Sequence, residues 1–450
     1  MNALKILNMA GIGMLTASAF AQAPEKQPNF VFVLVDDMGW TGTSALMDNK
    51  IKSSKSDFYL TPNIAALAKQ GIRFSNAYSS AALCTPSRAS ILTGKSPAQL
   101  HMTTPGPVRR YIPAWYKVIP PQHITSLPIK EKTIAEALKT KNYATAHFGK
   151  WHLSGGGPGK HGFDQHDGNT GNGGPGRYKD PNPKDIFSIT NRANAFMEKN
   201  VVKGKPFYVQ LSHFAVHSPY EALSKTIESC SQRKPGKYHN SNNKYAAMTQ
   251  DLDTSIGHLL AKIKELGIEQ NTYVILMSDN GATMRYNRKE NFPLSGGKGN
   301  LYEGGIRVPL IIRGPNVKAN QFRNTNVIGY DLYPTLCELA GIKLSDKNIE
   351  GISLVSLLNG NKDKFKDRQL IFHFPHYGRG PRQKPQSALI QGQYKLLKDL
   401  KTGKTKLFNL STDIGEHKNI SASAPDIASG MHAKLTAYLK KAKAQMPKEK

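Results

Sequence analysis

Phe30-Val31-Phe32-Val33-Leu34-Val35-Asp36-Asp37 is an unbroken apolar run that stops on two carboxylates. β-branched and aromatic residues without polar alternation read as a strand buried on both faces, as in a parallel sheet. Three more runs repeat the plan. Residues 143–148 lead into Gly149-Lys150-Trp151-His152, residues 207–211 into Ser212-His213-Phe214-Ala215-Val216-His217, and residues 273–277 into Ser278-Asp279-Asn280-Gly281. Ligands of open α/β sheets bind outside the carboxyl ends of the strands. Four such strands therefore bring Asp-Asp, Lys/His, His and Asp-Asn to one edge.

Helical patterns fall between the runs. Thr61 reads as the N-cap and Pro62 as the first residue of a helix that stops at Gly71. A shorter helix is expected over 134–139. Met248, Leu252, Ile256, Leu259 and Ile263 recur at helical spacing within 245–266, and Gly267 ends that segment. Strands alternating with helices define an α/β domain. After about residue 360 the pattern changes to short strands over 370–374, 387–391, 394–398 and 406–409, followed by a helix over 427–443. This predicts a small α+β domain with an antiparallel sheet and one helix. The expected organisation is a signal peptide (1–23), a catalytic domain (24–360) and a small C-terminal domain (361–450). The Gly/Pro-rich stretch 154–176 lacks periodicity and is expected to be a substrate-facing loop.

The first 23 residues combine Lys5, an apolar stretch and Ala-x-Ala cleavage sites, the plan of an export signal. No later run reaches the roughly 20 apolar residues of a membrane span, so the mature protein is expected to be soluble and periplasmic or secreted. Lys plus Arg outnumber Asp plus Glu by 61 to 32, a net charge of +29, which favours polyanionic partners. No helix-turn-helix, RNP or zinc-finger pattern accompanies the charge, so nucleic acid is not expected. The lysine-rich tail, 434–450, reads as a solvated helix face and a frayed end. Of the three cysteines, Cys337 reads as a helix core residue, Cys230 lies in a polar connector, and both are expected to be free or structurally minor.

Cys84-Thr85-Pro86-Ser87-Arg88 puts a cysteine at the first turn of a helix, where Pro86 is tolerated and unpaired N–H groups suit an anion. Asp36, Asp37, Asp279 and Asn280 are oxygen donors only. Such a set selects a hard cation, and Ca²⁺ tolerates the irregular geometry of adjacent carboxylates.

Cys84-x-Pro-Ser-Arg88 with Leu92-Thr93-Gly94 resembles the modification motif of type I, formylglycine-dependent sulfatases. The likeness extends over nearly the whole mature chain. It takes in Val35-Asp36-Asp37-Met38-Gly39, Gly149-Lys150-Trp151-His152-Leu153, His217-Ser218-Pro219 and Ser278-Asp279-Asn280-Gly281. It continues through Gly296-Gly297-Lys298-Gly299, Glu303-Gly304-Gly305-Ile306-Arg307-Val308-Pro309, His373-Phe374-Pro375-His376-Tyr377 and Leu407-Phe408-Asn409-Leu410. Ser154 stands where the family usually has glycine. The chain is thus similar to a bacterial carbohydrate sulfatase of the arylsulfatase-like group.

The resemblance implies an alkaline-phosphatase-like large mixed sheet flanked by helices. It also implies that a maturation enzyme oxidises Cys84 to formylglycine (3-oxoalanine). The hydrated aldehyde, held on one Ca²⁺ by Asp36, Asp37, Asp279 and Asn280, would attack sulfur. Residue 84 would carry the sulfate until its second hydroxyl expels it. On the same ground Arg88 would hold the diol, Lys150 and Lys298 would neutralise sulfate oxygens, and His152 would act as base. His217, with Lys298, would be the acid toward the leaving oxygen.

Two other functions compete. Phosphatases and phosphodiesterases of the same superfamily typically use Ser or Thr and two metals with several His ligands, whereas this chain offers Cys84 and oxygen ligands for one. A non-catalytic binder of sulfated glycans would not need every element of such a site. Charge, export and the basic loop Arg379-Gly380-Pro381-Arg382-Gln383-Lys384 point to a sulfated polysaccharide or its oligosaccharides, of algal galactan, ulvan or glycosaminoglycan type. Tyr111, Trp115 and Tyr116 lie in another loop, where stacking on sugar rings and packing of a long connector are both open.

Overall fold

The computed structural model describes residues 27–107, 116–172, 180–238, 242–284, 290–361, 365–378 and 383–450. Asn29–Val35 is the hub of an eight-stranded sheet and pairs in parallel with Thr272–Ser278 on one side and Phe207–Ser212 on the other. Ala144–Gly149 follows in parallel beyond Phe207–Ser212. The four apolar runs are therefore adjacent strands that end on the same edge. Leu310–Arg313 runs antiparallel to Thr272–Ser278 and to Ile72–Phe74, which makes the sheet mixed.

Alternation along Asn29–Val35 feeds two cores, because successive side chains of a strand leave on opposite faces. Val31, Val33 and Val35 pack with the helices Ile186–Val202 and Asn243–Glu265 on one face. Phe30, Phe32 and Leu34 pack with Cys84–Thr93, Ile134–Lys139 and Leu332–Leu339 on the other. The second unit is a four-stranded antiparallel sheet, Gln369–Phe374, Gln386–Gln391, Tyr394–Asp399 and Thr405–Asn409. One face, with Leu389, Leu396 and Leu407, holds the helix Pro425–Lys441 through Met431, Leu435 and Leu439. The opposite face, with Leu370, Phe372, Ile390 and Phe408, packs on Tyr78, Ile306 and Ile328 of the large unit.

Several local expectations are corrected. Thr61 precedes the helix Pro62–Gln70, but its hydroxyl accepts the N–H of Ser44 at 2.7 Å. The helix is capped instead by Asp253, which accepts the N–H groups of Asn63 and Ile64. Cys230 lies buried in the helix Ser224–Ser231 where a polar connector was expected, while Cys230 and Cys337 are free as expected, as is Cys84. The lysine-rich tail does not fray: Lys448–Glu449 pairs with Val118–Ile119, and the carbonyls of Lys443 and Gln445 meet His101 and His373. Within 154–172 lie a 3₁₀ turn, Pro158–His161, and an edge strand, Gln165–His166, that extends the large sheet. The signal segment 1–23, residues 173–176 of that stretch, Tyr111 and Trp115, and Arg379 to Arg382 lie outside the described residues. Tyr116 is buried and stacks on Tyr377 at 3.9 Å, so at this position connector packing is what is observed.

Candidate active site

The four strand ends supply most of the site. Asp36 and Asp37 leave the sheet directly after Val35. Asp36 donates its N–H to Ala215 O, the Asp36 carbonyl accepts the N–H of Val216, and Asp279 donates its N–H to Val35 O. Three neighbouring strands are thus tied together just past their ends. Asp37 has a positive φ of 60°, which turns its side chain back on the sheet edge, and its N–H meets Asp279 Oδ1 at 3.2 Å.

Cys84 comes from the fifth element, the helix Cys84–Thr93, whose residues are all buried. Its Sγ lies 3.4 Å from Asp36 Oδ1, 3.8 Å from Asp37 Oδ1 and 3.2 Å from Lys298 Nζ. One turn further, Arg88 donates Nε to Asp279 Oδ2 at 2.8 Å and Nη1 to the Lys150 carbonyl at 2.7 Å. Lys150 Nζ stands 2.5 Å from Asp36 Oδ2, and Lys298 Nζ 2.8 Å from Asp37 Oδ1. Three carboxylates thus face three cations in a desolvated pocket.

The charges set the protonation of the site. Burial alone would raise the Asp36 pKa, but Lys150, His217, Arg88 and Lys298 together hold it well below the usual carboxylate range. Asp279 is pushed up to about 6 by burial and by the charge of Asp36. Burial would lower Lys298, yet Asp37, Cys84 and Asp36 keep it well above the ordinary lysine value. Burial, then the charges of Asp279 and Asp36, drives the Cys84 thiol upward against the pull of Lys150 and Lys298. As a thiol, Cys84 is a poor nucleophile here, because the thiolate is the reactive form. His152 falls to about 3 through burial and the neighbouring Lys150 and Arg88. His217 is also lowered by burial, against the pull of Asp36 and Asp37. Its Nε2 sits 3.8 Å from Asp37 Oδ2, and its Nδ1 is fixed by the Ser218 carbonyl at 2.5 Å.

A cation fits this arrangement. One ligand atom from each of Asp36, Asp37, Cys84 and Asp279 lies within 4.8 Å of the others, a cluster without parallel among the described residues. Asn280 Oδ1 is buried with no hydrogen-bond partner, while its Nδ2 donates to Asp37 Oδ1 at 2.7 Å. An unpaired amide oxygen beside three carboxylates adds a further hard donor that could hold a cation.

All ten expected site residues converge. The supports behind them were not legible in the sequence. Thr170 accepts the Trp151 N–H and donates to the Gly149 carbonyl, its own carbonyl takes the His152 N–H, and Asp167 takes the Gly149 N–H. The described part of the 154–176 stretch therefore clamps the Lys150–His152 turn, a role its sequence did not announce. Gln383 likewise donates to the Lys298 carbonyl from the C-terminal unit. An Asp or Thr in a Gly-rich loop carries no pattern that would mark such a role.

Residues 28–342 match the family model described as Sulfatase, and residues 297–445 match N-sulphoglucosamine sulphohydrolase, C-terminal. The chain belongs to the sulfatase family. This sulfatase is 29% identical to a protein named Sulfatase from Formosa agariphila, over 95% of this chain and 91% of that one. It is also 29% identical to mouse N-acetylgalactosamine-6-sulfatase, over 92% of this chain and 79% of that one. Among solved structures, Ps i-CgsB in complex with k-i-k-neocarrahexaose is similar, with a TM-score of 0.75, 26% identity and coverage of 92% and 93% of the two chains. The large mixed sheet with its small antiparallel companion is the alkaline-phosphatase-like architecture expected of a sulfatase, a sulfuric ester hydrolase.

Proposed function

We propose that this protein is an exported enzyme that releases sulfate from a sulfated polysaccharide or its oligosaccharides, with Cys84 matured to formylglycine and one Ca²⁺ held by Asp36, Asp37, Asp279 and Asn280. The observation that carries this reading is the setting of Cys84. It opens a buried helix with Lys298 at 3.2 Å and Asp36 at 3.4 Å, so nucleophile, cation ligands and anion-binding charge share one point. Burial and the charge of Asp279 raise the Cys84 thiol pKa, so the unmodified thiol is a poor nucleophile here. Bound Ca²⁺ would supply a Lewis acid that eases deprotonation of the hydrated aldehyde.

The chain's own groups account for the remaining demands. Arg88, locked on Asp279, orients residue 84. Lys150 and Lys298 put positive charge where sulfate oxygens gain negative charge, and in a largely buried pocket such charges act strongly. His152 is neutral at ordinary pH and ready to accept a proton. His217 and Lys298 stand beside Asp37 and are the groups assigned to the leaving oxygen, with the proton held on Lys298, whose pKa is raised, and not on His217, whose pKa is lowered. The net charge of +29 and the carbohydrate ligands in the names of similar proteins support the substrate class.

The test uses protein co-expressed with a formylglycine-generating enzyme. Mass analysis of the Cys84 peptide should find the aldehyde. Ion chromatography should detect sulfate released from at least one of carrageenan, ulvan, fucoidan, chondroitin or heparin oligosaccharides. EGTA should abolish release and Ca²⁺ restore it. Sulfate release from small aryl esters alone would overturn the carbohydrate reading, and an unmodified thiol in fully active protein would overturn the mechanism.

A further inference from the structure

Lys184 is a buried cation that the reaction as outlined does not use. It is 4% exposed and sits in the 3₁₀ turn Pro183–Asp185 with left-handed backbone, φ 54° and ψ 23°. Asp185 is left-handed too, with φ 56°. Non-glycine residues hold such conformations only when their surroundings over-determine them. Here they do. Asp185 Oδ2 accepts from Arg192 Nη2 at 2.6 Å, and Asp185 Oδ1 accepts from Asn182. The same Arg192 nitrogen reaches Asp167 Oδ2 at 2.8 Å, and that oxygen accepts the N–H of Gly149, the residue before Lys150. The turn is therefore tethered to the strand end that carries Lys150.

So rigid a mount presents an ammonium with no counter-ion. Its stem is buried while Nζ reaches solvent, and Lys184 makes no hydrogen bond or ion pair among the described residues. Glu221, Asp36 and Asp37 act on its charge from a distance, but burial outweighs them and lowers its pKa. Asp36 and Asp37 are already matched by Lys150 and Lys298 in direct contact. An ammonium that meets solvent and no protein partner, in the field of Asp36 and Asp37, is available to an anion from outside.

We propose that Lys184 is a substrate-binding residue that takes a second anionic group of the sulfated glycan, beside the ester that is cleaved. Preferred substrates then carry two negative charges close together. A three-donor ammonium accepts either a sulfate or a uronate carboxylate, since neither requires a planar fork. This proposal rests on the sulfatase reading above.

Matured wild-type enzyme and Lys184→Gln would be compared on 4-methylumbelliferyl sulfate, on carrageenan oligosaccharides with one or two sulfates per disaccharide, and on ulvan oligosaccharides carrying sulfate and uronate. The expected result is a rise in KM of about 10- to 100-fold on a doubly charged sugar, the range of one charged hydrogen bond. That rise should be at least about tenfold larger than on the aryl sulfate, with kcat less affected, and Lys184→Arg should recover most of it. Response in the two-sulfate arm identifies sulfate as the second anion, and response in the ulvan arm identifies the carboxylate. Lys184→Asn, which tolerates left-handed backbone better, serves as the second variant, and melting curves check that both fold. Equal losses on every substrate, no loss on any, or a wild-type preference for singly charged sugars would each overturn the proposal. If wild-type enzyme releases sulfate from nothing in the panel, the sulfatase reading fails and this one with it.

Discussion

His152 illustrates how the site's function depends on single side chains. It follows Lys150 by two residues, has a φ of 57°, and its carbonyl accepts from Thr85 beside Cys84. Burial and the two nearby cations bring its pKa to about 3. The imidazole is therefore uncharged throughout the neutral range, and a bound divalent cation would only strengthen that. We expect His152→Ala to lower kcat by about 10²- to 10⁴-fold, the usual worth of a general base, with sulfate accumulating on residue 84 in mass spectra. The pH–rate profile gives the sign. Because the neutral form persists until pH falls to about 3, wild-type kcat should show no acid limb near 6.5 from this residue. A limb near 6.5 that disappears in His152→Ala would contradict the assigned protonation. At this scale the strand-end residues that converge in the site were legible, because Asp-Asp, Lys-x-His and Asp-Asn each follow an apolar run. Thr170 and Asp167 were not, since their role depends on what lies across the loop.

At the scale of elements, the site depends on glycines that let backbone segments touch. Gly281 follows Asn280, and its N–H donates to Gly305 O. A Cβ built on it would meet Gly304 O at 1.9 Å and Gly304 C at 2.8 Å, both backbone atoms. Nothing there can rotate away. Gly281→Ala should therefore push apart the Asn280 turn and the Glu303–Ile306 helix. A cost of about 1–3 kcal/mol follows from overpacking. A shift of about 1 Å in Asn280 would reduce turnover by about 100-fold. Urea denaturation and kcat/KM on the same preparation check both numbers, and unchanged activity would show that the turn tolerates the methyl group. The strands and the long amphipathic helix were visible from their periodicity. Ile186–Val202, interspersed with Asn and Thr, and the two-residue strand Gln165–His166 carried too weak a pattern. They form because they pack against elements already present.

At the scale of the whole molecule, a buried ionic group joins the two units. Lys395, on the C-terminal sheet and fully buried, stands 2.9 Å from Glu303 Oε1 and 2.8 Å from Glu416 Oε1. Glu303 also meets Arg307 at 2.7 Å and Tyr78 at 3.0 Å. Glu416 accepts the Glu303 N–H, which starts the helix behind the Lys298 loop. Removing one partner strands buried charge, so Lys395→Met should destabilise the protein by about 3–5 kcal/mol, measured by chemical denaturation at pH 8. Burial and the charge of Glu303 raise the Glu416 pKa to about 7 against the pull of Lys395. Between the ordinary value of 4.5 and about 7, the folded chain keeps a proton that the unfolded chain has released. This term of stability therefore declines as pH rises through that window. Glu416→Gln should flatten the decline in Tm between pH 5 and 8, and an identical slope in both proteins would refute the assignment.

Apolar runs, turn residues and the chemistry of each strand end are local properties. They determined, without any tertiary information, that this chain builds a buried parallel core and directs carboxylates, lysine and histidines to one edge. Charge balance is not local. Which cation closes on which carboxylate, which lysine is left without a partner, and which loop braces the Lys150–His152 turn depend on segments many residues apart. Only the packed structure brings those segments within the few ångströms over which hydrogen bonds and ion pairs act.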